Sequence, residues 1–118
     1  MDLHTLNRAT LDRYMRVNPP EIVRSIIYAY ISKAEAIAYE LNKLSRVQDL
    51  PAIVENASSL QEASHNLGVQ RVAFAAKQLQ AAASQPIAQD KLLSLINSLK
   101  NEVTLATAEL KRTSVYCQ

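Results

Sequence analysis

The chain has 118 residues, with 13 Lys and Arg against 11 Asp and Glu and a formal net charge of +2. That balance, with no run of like charges, gives no reason to expect nucleic acid as a partner. Hydrophobic residues make up 48% of the chain and there is a single Gly, enough for one core but too little glycine for the many tight turns of an all-β fold. The length suits one domain spanning residues 1–118. The lone cysteine, Cys117, allows no internal disulfide. The start, Met1-Asp2-Leu3-His4, lacks the regions of a signal peptide, and no apolar stretch is long enough to span a bilayer. The expected location is the cytoplasm.

Five helical segments follow in order. The first is expected over residues 5–17, with Leu6, Leu11, Tyr14 and Met15 as its apolar positions. Asn18-Pro19-Pro20 ends it, because proline disfavours helix in the residue before it, and Pro20 then suits the first turn of the next helix. The second is expected over residues 20–44, where Ile22, Val23, Ile26, Ile27, Tyr30, Ala34, Ile37, Leu41 and Leu44 recur at three- and four-residue steps. Asp49 is a good N-cap, with Pro51 in the turn behind it.

The third helix is expected over residues 50–67, with a buried stripe of Ile53, Ala57, Leu60, Ser64 and Leu67. Gly68 stands where a left-handed C-cap is needed. The fourth, over residues 69–84, turns Val72, Ala76, Leu79 and Ala83 inward, and Ser84-Gln85-Pro86 breaks the chain. The fifth, over residues 87–112, carries Leu92, Ile96, Leu99, Val103, Ala106 and Leu110 at alternating four and three spacing. Short connections imply antiparallel neighbours. The expected fold is all-α: an antiparallel up-down four-helix bundle with a short N-terminal capping helix.

The sequence contains no Gly-rich phosphate loop, no Cys/His cluster with metal spacing and no nucleophile–base–acid set near a glycine turn. Its two histidines, His4 and His65, are far apart, and its carboxylates are scattered over outward faces. No metal, no cofactor and no independent hydrolytic or redox catalysis is expected.

The third helix carries a more specific pattern. Ala57-Ser58-Ser59-Leu60-Gln61-Glu62 leads through Ala63-Ser64-His65 to Asn66-Leu67-Gly68. This resembles, without a gap, the histidine-phosphotransfer (HPt) family's Ala-His-x-Leu-Lys-Gly string followed by Asn-Leu-Gly. Ala57, Leu60, Asn66, Leu67 and Gly68 agree with it, and the resemblance covers residues 3–110. The departures fall on the chemistry. Ser58 stands where the family has its phosphorylated histidine, Gln61 where it has the lysine that helps neutralise the phosphoryl group, and Glu62 where it has the glycine that lets a receiver domain's aspartate approach. The resemblance therefore implies a degenerate member, a pseudo-HPt protein. A serine hydroxyl has no general base beside it, and its phosphate ester is too stable for a reversible relay. Glu62, one turn from Ser58, repels an incoming phosphate and an acidic receiver pocket.

A helix turns by ~100° per residue, so Ser58, Glu62 and His65 share one face, with Gln61 beside it and Val54 one turn before it. In the family this face docks the receiver domain; Arg71 and Lys77 on the next helix are expected to add positive charge nearby. Each of these residues also has an ordinary reading. Ser58 and Glu62 are compatible with a solvated helix surface, His65 with the favourable end of a helix dipole, and Val54 with a lone exposed apolar residue. The leading expectation is a non-phosphorylatable module, monomer or weak dimer, that binds a response-regulator receiver domain or a histidine kinase and modulates a phosphorelay. The alternatives are a working phosphotransfer protein using His65, and a structural or dimerisation bundle unrelated to phosphorelay.

Overall fold

The structure is a computed structural model that describes residues 4–113; Met1, Asp2, Leu3 and Cys117 lie outside the described residues. Five helices appear in the order α1 (Arg8–Val17), α2 (Pro20–Arg46), α3 (Leu50–Leu67), α4 (Gln70–Ala83) and α5 (Gln89–Lys111), and no strand occurs among the described residues. α3 packs on α4, α4 on α5, and α2 closes the square against both α3 and α5. The 27 residues of α2 set the long dimension: at ~1.5 Å of rise each they nearly span the 45 Å axis of the molecule.

Local chemistry sets the boundaries. The Asn7 side chain accepts the Thr10 N–H at 3.3 Å and starts α1 there, so Thr5 and Leu6, expected inside the helix, precede it. Asp49 accepts the Ala52 N–H at 3.2 Å and starts α3. α2 runs two residues beyond expectation, to Arg46, because Ser45, Arg46 and Val47 contain no helix breaker.

The expected stripes of α3, α4 and α5 are buried in full, from Ile53 to Leu67, Val72 to Ala83 and Leu92 to Leu110. On α2 the buried line is Val23, Ile27, Tyr30, Ala34, Ile37 and Leu41. Ile22, expected inward, is 48% exposed. It sits ~100° around the helix from Val23, in the first turn, outside that line. One polar pair is enclosed among the apolar side chains: the Tyr30 and Ser64 hydroxyls are hydrogen bonded at 2.7 Å between α2 and α3. Burial raises the Tyr30 pKa to about 12, the hydrogen bond to Ser64 opposing the shift.

The corner between α3 and α4 seats α1. Gly68 has a φ of +82°. Its N–H reaches the His65 carbonyl at 3.2 Å, and the Val69 N–H reaches that of Ser64 at 2.8 Å. This is a Schellman ending, which leaves Gly68 in the left-handed region. The Gly68 carbonyl then accepts the Asn7 N–H at 2.7 Å. A Cβ on Gly68 would lie 2.8 Å from the Thr10 Cβ, so glycine here is needed twice, for the turn and for the close approach of α1.

Candidate functional site

The Ser58 face is built on the middle of α3, and the buried stripe fixes its direction. With Ala57, Leu60 and Ser64 facing the core, Glu62 and His65 are left exposed and Ser58 and Gln61 half-buried. The hydroxyl of Ser58 is therefore carried along the edge of the helix surface rather than in the core. Val54 is half-buried and packs against the hydrophobic core, so it is a shoulder of the bundle rather than a free apolar contact.

The polar groups here do not form an activated nucleophile. His65 lies two turns from Ser58, ~10 Å along the helix axis, whereas a general base must come within ~3 Å of its proton. Glu62, at i+4, and Glu55, at i−3, are the exposed ionisable neighbours of Ser58 along the helix. The face thus presents a hydroxyl at Ser58, a carboxamide at Gln61 and a carboxylate at Glu62. Among the described residues, no group of three or more His, Cys, Asp or Glu side chains gathers as a metal site.

The two expected cations separate. The Arg71 guanidinium turns towards α5, where its Nε–H meets the Glu102 carboxylate at 2.6 Å and its second nitrogen meets the other oxygen at 3.2 Å. That bidentate pair ties α4 to α5, so Arg71 does not add its charge to the Ser58 face as expected. The reason is helical phase: Arg71 precedes buried Val72 on the α5 side. Lys77 is exposed on α4, at i+4 from Ala73 and i+3 from Phe74.

Two surface residues near the site, Val17 and Phe74, were not singled out from the sequence. Tyr14 and Val17 of α1 and Phe74 of α4 meet His65 around a groove at the α1 corner. Phase alone marks Phe74, which falls off the Val72–Ala76–Leu79 line, but nothing in the sequence places α1 beside it.

A square antiparallel bundle with a short helix on one corner is an architecture with a counterpart among solved structures. The crystal structure of histidine-containing phosphotransfer protein B (HptB) from Pseudomonas aeruginosa PAO1 matches 94% of this chain and 95% of its own with a TM-score of 0.84 and 18% sequence identity. That likeness shows the fold. No protein-family model matches the chain, and no curated protein sequence matches it significantly. Among the described residues no helix is long and apolar enough to cross a membrane.

Proposed function

We propose that this protein is a non-phosphorylatable HPt-like interaction module, which binds a response-regulator receiver domain or a histidine kinase and modulates phosphate flow without carrying phosphate. One observation supports this reading above the others: a bundle of phosphotransfer architecture in which the outward face of α3 carries Ser58, Gln61 and Glu62 in place of His, Lys and Gly. The scaffold that presents a docking face is kept, and the groups that make phosphate transfer possible are replaced.

The chemistry follows from those groups. Transfer needs a nucleophilic nitrogen whose bond to phosphorus breaks readily when a receiver aspartate attacks. The Ser58 hydroxyl has a high intrinsic pKa and no histidine within reach, and its ester would hold the phosphoryl group. The Glu62 carboxylate adds a fixed negative charge one turn away, which disfavours an incoming phosphoryl group. Bound to a receiver, such a face occupies the surface a true donor needs and slows phosphorylation by competition.

The test is a gain of function. With a phosphorylated receiver or kinase as donor, the natural protein takes up no acid-labile phosphate, while Ser58→His, Gln61→Lys and Glu62→Gly combined does. Binding of the natural protein to at least one receiver or kinase of its own cell, read by interferometry, is the second requirement. Acid-labile phosphate on the natural protein, abolished by His65→Ala, would overturn the reading.

A further inference from the structure

A groove of about 650 Å³ opens where α1 crosses the α3–α4 corner. α1 contributes Arg13, Tyr14 and Val17, the end of α3 contributes His65, and α4 contributes Phe74. Val17 is 73% exposed and Phe74 52%, so an exposed apolar side chain from each of two helices borders the same space. The groove is preformed: Leu11 of α1 is buried, and the Asn7 N–H is bonded to the Gly68 carbonyl at the groove's foot.

Its charge is one-sided. Arg13 lines it, the His65 imidazole adds polar ring nitrogens, and no carboxylate borders it. Asp12, the neighbour of Arg13, faces a separate depression with Ala9, Met15 and Arg16, and Glu62 stands one turn before His65 outside the lining. Lys77 continues the positive side one turn beyond Phe74. The other grooves differ. The one bordered by Arg8, Arg71 and Arg112 also holds Glu109, and the one between α2 and α5 sets Glu35 against Lys100.

We propose that this groove is a docking site for an acidic peptide segment of a partner protein, one that places an apolar side chain between Val17 and Phe74 and carboxylates against Arg13 and His65. Arg13 supplies a planar fork suited to a carboxylate, and the two apolar walls supply the anchor. The groove adjoins the Ser58 face at His65 but is built mainly by α1 and α4, and Arg13, Val17 and Phe74 lie outside the set assigned to receiver docking.

The test titrates the isotope-labelled full chain with a short synthetic peptide alternating Asp and Glu with Leu and Phe. Two controls replace its apolar residues with Ala or its acidic residues with Lys. Amide shifts are expected to cluster at Arg13, Val17, His65 and Phe74, with neither control peptide binding. Arg13→Glu and Phe74→Ala each weaken binding about tenfold, the range of a single anchor. Leu105→Ser, which removes an exposed apolar residue of α5, leaves it unchanged. Shifts elsewhere, equal binding of the Ala control, or full affinity in both groove variants overturns the proposal. So does a groove that ignores the peptide but responds to phosphatidylserine vesicles or to a second copy of the chain.

Discussion

At the scale of single residues, the enclosed Tyr30–Ser64 pair makes a prediction about pH. Tyr30 is 7% exposed and its pKa in the folded chain is raised to about 12 from 10. A phenol that resists ionisation when folded but not when unfolded stabilises fully below pH 10, and that stability is lost as pH rises towards 12. The slope is roughly 1.4 kcal/mol per pH unit in that window. Urea denaturation of Tyr30→Phe against the natural protein should therefore show the alkaline loss blunted. At neutral pH the variant should be weaker by about 1 kcal/mol, since Ser64 loses its partner. Thr107 offers the opposite case. Its buried hydroxyl has no hydrogen-bond partner among the described residues, so Thr107→Val should hold or raise the melting temperature.

At the scale of helices, the corner glycine governs how α1 attaches. Gly68→Ala should cost about 1–2 kcal/mol for the left-handed backbone alone and more for the contact with Thr10. Gly68→Asn should recover part of the first cost and none of the second. Hydrogen exchange at α1, read separately from global unfolding, distinguishes the two. The middle of α3 makes a separate prediction. A glycine inside a helix costs about 1 kcal/mol relative to good helix formers, so Glu62 gives α3 a stronger backbone than a glycine there would. Glu62→Gly should lower stability by about that amount with the fold intact, which circular dichroism can check.

For the whole molecule, scaffold and surface should respond to different perturbations. Core stripes on four helices meet in one cluster, so Leu60→Ala should cost about 2–5 kcal/mol and loosen the whole bundle. The charged features lie at the surface. The Arg71–Glu102 pair is partly solvated and is expected to add less than about 1 kcal/mol. Moderate salt should accordingly leave the melting temperature nearly unchanged while weakening any complex that engages Arg13 or Glu62. A melting temperature that falls with salt in parallel with binding would contradict that separation.

Much of this was legible in the chain itself. Alternation of three and four between apolar residues identified the helices and the inward lines of α3, α4 and α5, because helical phase is a local property. Helical phase likewise kept Ser58, Gln61 and Glu62 off the buried line of Ala57, Leu60 and Ser64. Tertiary structure alone decided three things. It gave Arg71 to Glu102, set Val54 against the core, and brought Val17 to Phe74 across the seat that Gly68 provides for α1. Each depends on where one helix lies against another, and periodicity within a helix carries no information about that placement.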